Sequence, residues 1–410
     1  MTVAAFVLRV AVTLVTKGRS GASLDQGDAF YYSAVANHMG FGHWFVNPFT
    51  LAPAADHPPL TIVVLTPASW LFASALAQRL TMVLIGTLTV SIIGLVGRRI
   101  GGETVGIVAA LLALLNPNLW INDSLVMSES LAACLIAILI WIGVALAKQP
   151  RPRLAAAAGI ATGLAVLTRP ELGWFFVLMV VPILASVRGL DLRRRLALVV
   201  LAGACMGAVI APWTLLNTSR FDRVVWVSNN SGGAIAGANC SATYSGELIG
   251  AWDPSCATRN ERPRLDASRN AERGMQSGLS FARHHLSRLP AVVIAREARM
   301  FGFFRPQMEV DVTVFEGRPR GISWAAFSVF WCLIPPSIAG ALTLARRRET
   351  LWPFIACLGA PVLTAALFYG IPRLRLPLDV AMCLLAAIPI ATWWTRRTHR
   401  DATVTALPAG

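Results

Sequence analysis

Apolar residues form ten blocks along the chain, and polar or arginine-containing segments separate them. Most blocks approach the roughly twenty residues that a helix needs to cross about 30 Å of hydrocarbon. Gly and Pro occur within several blocks, and membrane helices tolerate both. The pattern predicts transmembrane helices over 2–17, 77–97, 103–118, 124–147, 153–168, 171–187, 195–216, 323–345, 350–369 and 376–394.

Composition supports an integral membrane protein with an all-α fold. Of the 410 residues, 55% are hydrophobic and 14% are charged, whereas a soluble domain carries about 25% charged residues. The net charge of +15 is also typical of nucleic-acid-binding proteins. The basic clusters lie between apolar blocks, however, and the sequence has no nucleic-acid-binding motif. We therefore expect membrane lipids as partners and no nucleic acid.

The basic clusters predict which ends of the helices face the cytoplasm. They fall on alternate connections, at 98–99, 148–153, 188–195, 346–348 and 396–400. Lysine and arginine collect at cytoplasmic helix ends, so this side is predicted to be cytoplasmic; only Lys17 and Arg19 go against the rule. The outer side then receives the segments 18–76, 116–128, 168–171, 217–322 and 369–377.

These assignments divide the chain into four parts. We expect an N-terminal transmembrane module over 1–216 with its first outer loop at 18–76, an extracytoplasmic loop region over 217–322, C-terminal transmembrane helices over 323–400 and a disordered tail over 401–410. The first apolar run lacks a basic n-region and an Ala-x-Ala cleavage site, so it is predicted to be an uncleaved first span. Whether the N-terminus is complete stays open.

Two surface helices are predicted in the first outer loop. Apolar and aromatic residues recur at helical spacing over 28–39, with Asp28 in the first turn, where a carboxylate suits the helix dipole. Pro58 and Pro59 are placed to open a second helix over 60–75, because proline is favoured at first-turn positions.

Two of the seven cysteines lie outside the apolar blocks. Cys240 and Cys256 share the long outer region, and an oxidising compartment favours disulfides. We expect a bridge between them, with two unpaired thiols or a metal pair as the alternatives.

Asp28 is the leading candidate for catalysis. Tyr31 and Tyr32 follow three and four residues later, which puts them on the same helix face. A carboxylate flanked by aromatic rings near the membrane suits a general base. A purely structural Asp that compensates the helix dipole is an equal alternative, and Asp25 lies three residues before it.

Further polar residues lie in the remaining outer segments. His57 could bind substrate or a metal, although no His or Cys partner is near it, and a structural or acceptor-side role is favoured. Glu129 lies at the outer end of an apolar block, where ionisable residues tend to be functional; a first-turn acid is the alternative. Arg169 and Glu171 flank Pro170 in a tight turn, and they could pair with each other or with substrate.

Arg373 and Arg375 indicate an anionic ligand. They lie between two prolines on the outer side, where the charge rule does not require them. Arginine binds phosphate oxygens through two parallel hydrogen bonds and stays charged in a low dielectric. A lipid phosphate is therefore the expected ligand, and contact with phospholipid headgroups is the alternative.

The order of these motifs resembles the GT-C glycosyltransferases. It is most similar to the bacterial family of aminoarabinose and protein O-mannosyl transferases, which use a polyprenyl-phosphate sugar as donor. The resemblance rests on short segments in a conserved order: GDAFYY at 27–32, HPPL at 57–60, GRRIG at 97–101, MSE at 127–129, LTRPE at 167–171, APW at 211–213 and RLRLP at 373–377.

The resemblance implies a function and a mechanism. Asp28 would take a proton from an acceptor hydroxyl that attacks the anomeric carbon with inversion. Arg373 and Arg375, with Arg169, would hold the departing polyprenyl phosphate. The acceptor would be a lipid, a cell-wall glycan or a protein, and the enzyme would face outward from the bacterial plasma membrane. No cofactor is expected to be obligatory, although a divalent metal is possible.

Two other classes remain as alternatives. A transporter or flippase of a lipid-linked sugar would have polar residues buried in the middle of its spans and inverted repeats, whereas here the polar residues collect at outer helix ends. A non-catalytic membrane scaffold would leave the order of the outer motifs unexplained.

Overall fold

The computed structural model describes residues 1–17, 27–71, 74–187 and 189–405. Within these ranges the chain is helical, without a strand, and has one isolated β-bridge between Val46 and Pro53. The α-helices, in chain order, are α1 Thr2–Lys17, α2 Gly27–Gly40, α3 Pro59–Leu65, α4 Ser74–Gly101, α5 Glu103–Leu115, α6 Ser128–Lys148, α7 Pro152–Val166, α8 Val181–Ser186, α9 Leu192–Thr218, α10 Asn230–Ala238, α11 Pro254–Thr258, α12 Ala267–His284, α13 Leu289–Met300, α14 Pro306–Phe315, α15 Arg320–Arg346, α16 Trp352–Leu367 and α17 Leu376–Thr405.

The helices form a multi-pass membrane bundle. In the described part of the chain, α4, α6, α9, α15 and α17 are long and apolar enough to cross a membrane, and α5 with the turns after it adds a sixth if that bent pair is one span. The other four predicted spans coincide with shorter apolar helices: Thr2–Thr16, Pro152–Val166, Pro170–Ser186 and Trp352–Leu367. The all-α membrane fold is therefore confirmed, whereas the number of ten crossings stays a prediction.

The span predicted over 103–118 is broken at its outer end. Helix α5 stops at Leu115, and two 3₁₀ turns, Pro117–Leu119 and Asp123–Leu125, follow at an angle of 77°. Pro117 cannot continue the hydrogen-bond ladder, and the side chain of Asn116 accepts the backbone N–H of Asn118. The next helix consequently begins at Ser128.

The first outer loop contains the two predicted helices, and the second is shorter than expected. The first is α2, which matches the prediction to within one residue. The second is α-helical only over Pro59–Leu65 and continues as a 3₁₀ helix over Thr66–Trp70. Pro67 has no backbone N–H and clashes with the preceding turn in an α-helix interior, which explains the change. Residues 72–73 lie outside the described residues.

Small residues allow the apolar helices to approach closely, as is common in membrane bundles. A Cβ on Gly159 of α7 would lie 2.0 Å from the carbonyl oxygen of Ala202 in α9. One on Gly340 of α15 would lie 1.9 Å from the carbonyl oxygen of Leu385 in α17. Helix α6 is buried along most of its length and forms the centre of the bundle.

The region over 217–322 is more structured than the predicted loop. It folds into α10 to α14, and a disulfide joins Cys240 to Cys256. The chain end also differs, because α17 continues to Thr405 through the first half of the predicted disordered tail. Residues 406–410 lie outside the described residues.

Candidate active site at the junction of two cavities

Four ends of helices bring the predicted polar residues together. Asp28 lies in the first turn of α2 and Glu129 in the first turn of α6. Arg169 precedes the 3₁₀ turn Pro170–Gly173, and Arg373 lies in the turn Pro372–Arg375 before α17. Lys148, from one of the basic clusters, is the last residue of α6, a helix of 21 residues. At 1.5 Å per residue this helix separates the two ends of the bundle by about 30 Å.

Arg373 is the centre of the cluster. Its Nη2 lies 3.0 Å from Oδ2 of Asp28, its Nε 2.6 Å from Oε1 of Glu129, and its Nη1 2.7 Å from Oε1 of Glu316. All three guanidinium nitrogens therefore bind carboxylates. Such charge-assisted hydrogen bonds are about twice as strong as neutral ones, so Arg373 ties the first outer loop to the bundle.

Arg169 forms a second bridge beside the first. Its Nη1 lies 3.0 Å from Oε1 of Glu129, and its Nε donates to Oε1 of Glu171 at 2.6 Å. Glu129 is thus held between two arginines, and its side chain is only 1% exposed. Burial alone lowers the pKa of Arg169, but the charges of Glu171 and Glu129 outweigh it and raise that pKa above its ordinary value.

Asp28 is ionised and remains accessible. Burial raises the pKa of its carboxyl, but the charge of Arg373, joined by that of His57 at a pH low enough to protonate the imidazole, outweighs this effect, and the pKa lies below its ordinary value. The side chain is still 34% exposed. Its Oδ1 lies 3.6 Å from Nε2 of His57. An ionised carboxylate that a ligand can reach has the state a general base requires.

His57 lies between the two tyrosines of the first outer helix. Its ring centroid is 5.0 Å from those of both Tyr31 and Tyr32. Burial lowers the pKa of His57 despite the nearby carboxylates, so the imidazole is neutral at pH 7. Burial, followed by the charge of Asp28, raises the pKa of Tyr32 and keeps its phenol protonated.

Arg375 does not join this cluster. Its guanidinium lies over the rings of Phe330 and Phe327, 3.9 and 4.9 Å from their centroids, and its Nε is 3.8 Å from Asp379. The sequence predicted that Arg373 and Arg375 would face one ligand. The 3₁₀ turn that contains both residues directs them to different surroundings, and only Arg373 reaches Asp28.

Two cavities meet at the cluster. The larger has a volume of about 750 Å³ and the smaller about 520 Å³, and Asp28, His57 and Arg373 line both. The smaller cavity is also lined by Arg169, and by Trp174 and other apolar residues at the ends of membrane helices. The larger is bounded mainly by residues of the region over 217–322. Asp28 and Arg373 therefore border both cavities.

Comparison with known proteins identifies the architecture. Residues 56–215 match the family model described as dolichyl-phosphate-mannose-protein mannosyltransferase. Two structures of the oligosaccharyltransferase AglB from Archaeoglobus fulgidus share the fold. One, with an inhibitory peptide and a dolichol phosphate, has 14% identity over 100% of this chain and 52% of that chain, with a TM-score of 0.53. The other, with Zn and sulfate, has 14% identity over 97% and 50%, with a TM-score of 0.55.

The chain therefore shares its fold with these membrane oligosaccharyltransferase structures. It spans about half the length of the two AglB chains. ArnT from Cupriavidus metallidurans, in a structure bound to undecaprenyl phosphate, is 19% identical over 94% of this chain and 77% of that chain, with a TM-score of 0.42. No curated protein sequence matches this chain.

Sequence reasoning missed two charged residues of the cluster. Glu316 binds Arg373, and it also forms an ion pair with Arg318, whose Nη2 donates to Oδ1 of Asn122 at 2.9 Å. Both residues come from the end of the long outer region, just before α15. The only signal was a Glu-x-Arg pattern that mirrors Arg169-Pro-Glu171, and it is too short to be specific.

The three carboxylates of the cluster share one arginine. Asp28, Glu129 and Glu316 all bind Arg373, which holds the position between them. Among the residues that the structure describes, no group of three or more His, Cys, Asp or Glu side chains is arranged to hold a metal ion.

Proposed function

We propose that this GT-C protein transfers a sugar from a polyprenyl-phosphate donor to a hydroxyl acceptor, with inversion and with Asp28 as the general base. The observation that carries the proposal is the position of Arg373. It binds Asp28 at 3.0 Å and lies at the junction of the two cavities. A phosphate on this arginine would hold the bond to be broken beside a carboxylate.

The donor fits the smaller cavity. Arg169 and Arg373 supply positive charge at its inner end, and Trp174, Val177 and Phe368 supply an apolar wall near the membrane. A polyprenyl phosphate has the same two parts, an anionic head and a hydrocarbon tail. The matching family acts on a dolichyl-phosphate sugar by its description, and the AglB complex contains a dolichol phosphate; both support this placement.

The chemical step is a single displacement. The acceptor hydroxyl loses its proton to Asp28 while its oxygen forms a bond to the anomeric carbon. The bond between that carbon and the phosphate oxygen breaks, and its electron pair leaves with the polyprenyl phosphate. The leaving group gains one negative charge, which Arg373 and Arg169 are placed to stabilise. Donors that are already oriented toward a developing charge lower the barrier most effectively.

Arg373 also couples donor binding to the strength of the base. Without donor, Nη2 of Arg373 binds Asp28. This contact lowers the pKa of the carboxyl, against the raising effect of burial, and makes Asp28 a weak base. A phosphate competes for the same guanidinium. As Arg373 turns to the phosphate, the pKa of Asp28 rises because burial is less opposed. The base is therefore strongest when donor is bound.

We place the site on the extracytoplasmic side of a bacterial plasma membrane. The cluster and Lys148 lie at opposite ends of α6. The arginine-rich turns around 98–99 and 346–348 belong to the Lys148 end, where Lys148 pairs with Glu349. Lysine and arginine mark cytoplasmic connections. The disulfide of the outer region also suits an oxidising compartment.

Asp28→Asn is the experiment that tests the proposal. Asparagine keeps the shape and the contact with Arg373 but cannot take a proton. We expect transfer from a radiolabelled panel of polyprenyl-phosphate sugars, with a crude envelope preparation as acceptor, to fall by about 10²–10⁴ in kcat. Donor affinity should stay within a few fold, and the anomeric configuration of the product should be inverted.

Three outcomes separate the possibilities. Full turnover by Asp28→Asn with donor bound would remove Asp28 as the base. Retention of configuration would exclude the single displacement. If no sugar donor is bound or consumed by the wild type, the GT-C fold serves another function, and transport of a lipid-linked sugar becomes the leading alternative.

A further inference from the structure

The residues that line the larger cavity indicate the chemical class of the acceptor. This inference rests on the proposed function. The donor occupies the smaller cavity in that proposal, so the acceptor must approach Asp28 from the larger one. Its volume of about 750 Å³ is large enough for several sugar rings or a short peptide.

Carboxylates dominate the charge of this cavity. The described residues that line it include six carboxylates, whereas Arg373 is the one guanidinium. Asp28 and Glu316 bind Arg373, and Glu309 binds the buried Arg299 at 2.6 Å. The lining carboxylates are Asp28, Asp56, Asp253, Glu261, Glu309 and Glu316.

Three of these carboxylates have no arginine, lysine or histidine within 4.0 Å among the described residues: Asp56, Asp253 and Glu261. Asp56 and Glu261 also repel each other. Partial burial and then the charge of Asp56 hold the pKa of Glu261 above its ordinary value. This is unexpected in an outer region that is otherwise rich in arginine. These carboxylates make the lining of the larger cavity unfavourable to an anion and rich in hydrogen-bond acceptors.

Aromatic and amide groups complete the lining. The indole of Trp252 is 40% exposed, and its Nε1 donates to the carbonyl of Gly233 at 3.1 Å. Its centroid is 6.4 Å from that of Tyr369. Asn229 also lines the cavity and is only 9% exposed, and its Nδ2 has no hydrogen-bond partner in the part of the chain that is described. A fixed ring and an unmet amide donor indicate a ligand with both a ring face and hydroxyl groups.

We propose that the larger cavity binds a glycan acceptor without acidic groups, whose hydroxyls the carboxylates and amides hold and whose ring faces Trp252. The electron-rich face of an indole attracts the C–H edge of a sugar ring. Carboxylates accept hydrogen bonds from hydroxyls and repel phosphate or carboxylate substituents. Repulsion of wrong ligands contributes to specificity as much as attraction of the right one. A peptide acceptor would not account for so many carboxylates in the lining of the cavity.

The test identifies the residue that receives the sugar. The full chain in lipid nanodiscs is incubated with the radiolabelled donor that it consumes and a crude envelope preparation from the source organism. The labelled product is partially hydrolysed, and mass spectrometry identifies the residue next to the labelled sugar. We expect a neutral sugar or an amino sugar. A phosphorylated sugar, a uronic acid or an amino acid at that position would overturn the inference.

A pair of substitutions tests the cavity itself. Asp56→Asn with Glu261→Gln should raise the acceptor KM at least about fivefold and leave the donor KM unchanged. Glu247→Gln is the matched control, because Glu247 belongs to the same outer region but is 80% exposed and pairs with Arg305. An unchanged acceptor KM in the double variant would show that the acceptor does not bind here.

The inference and the proposed function fail in different ways. Transfer to an acidic residue refutes only the acceptor class. The absence of transfer to any component of the envelope, with intact donor, refutes the proposed function and the inference with it.

Discussion

Two buried contacts between arginine and aspartate or glutamate show how one interaction serves different purposes in this bundle. Arg9 of the first apolar helix binds Asp123 in the turn after α5, and the two side chains are 0% and 1% exposed. Arg9 also donates to the carbonyl of Leu119 at 2.8 Å, and Ser130 donates to Asp123 at 2.6 Å. This pair is closed on all sides.

The Arg373 cluster is open by contrast. The side chain of Arg373 is 15% exposed and lines two cavities, and that of its partner Asp28 is 34% exposed. The comparison of the two contacts shows that a buried charge in a membrane bundle is not by itself a sign of catalysis. What distinguishes the functional cluster is the space beside it, which a ligand can enter and where it can compete for the arginine.

Removing one partner of the closed pair should have the largest effect on stability. Arg9→Leu leaves Asp123 buried without a counter-ion, and such a change costs about 3–5 kcal/mol. We expect a correspondingly lower unfolding free energy in detergent, with activity per folded molecule unchanged. The double variant Arg9→Leu with Asp123→Leu should regain most of the loss. If the single variant is as stable as the wild type, the pair does not secure α1.

Arg373 and Arg375 provide the sharpest matched comparison. Arg373→Met removes the proposed phosphate ligand, and hydrogen bonds to charged groups contribute about 1.5–3 kcal/mol, so donor affinity should fall about 10–150-fold. Arg375→Met should leave donor affinity within about twofold, because Arg375 stacks on Phe330 and Phe327. Titration calorimetry or donor photolabelling in nanodiscs measures both. Equal losses would mean that both arginines bind the donor after all.

The titration of Asp28 should depend on Arg373. In the wild type the pKa of Asp28 lies below its ordinary value, because Arg373 and His57 outweigh burial, so the carboxylate is ionised at neutral pH. Arg373→Gln removes the positive charge that lowers the pKa of Asp28 most. Burial and the charge of Glu129 still raise that pKa. The carboxyl band in infrared spectra, assigned with Asp28→Asn, should therefore titrate at a higher pH. A shift to lower pH would contradict the coupling.

Glu171 should have the smallest effect in the cluster. It binds Arg169 at 2.6 Å, but its side chain is 22% exposed and Arg169 keeps Glu129 as a second partner. Exposed ion pairs contribute about 0–1 kcal/mol. We expect Glu171→Gln to change donor KM by less than about fivefold, measured beside Arg169→Gln. A loss as large as that of Arg169→Gln would assign Glu171 a direct role in binding.

Several features of this protein could be predicted from local patterns. The apolar blocks identified most helices of the bundle to within a few residues, because helix length in a membrane is set by the hydrocarbon thickness; α17 extends eleven residues beyond its predicted end. The positions of Asp28, Glu129, Arg169 and Arg373 at outer helix ends followed from the alternation of basic connections. Spans that cross and return bring such ends to one face without further information.

Other features depended on the directions of side chains, which local sequence patterns do not specify. Arg373 and Arg375 are two residues apart, and only the 3₁₀ turn decides that one meets Asp28 and the other meets Phe330. Glu316 joins the site because α14 and α15 return the long outer region to the bundle. The short Glu-x-Arg pattern at Glu316 did not indicate this contact, since no periodicity links residues that are distant in sequence.

Local patterns were therefore enough to predict the class of protein, the approximate positions of its helices and most charged residues of the candidate site. Those properties follow from the local cost of placing polar groups in hydrocarbon. Only the tertiary structure decided which charges meet, which pair is closed and which borders a cavity. These depend on how side chains from distant segments are directed, and that direction is set by the packing of the whole bundle.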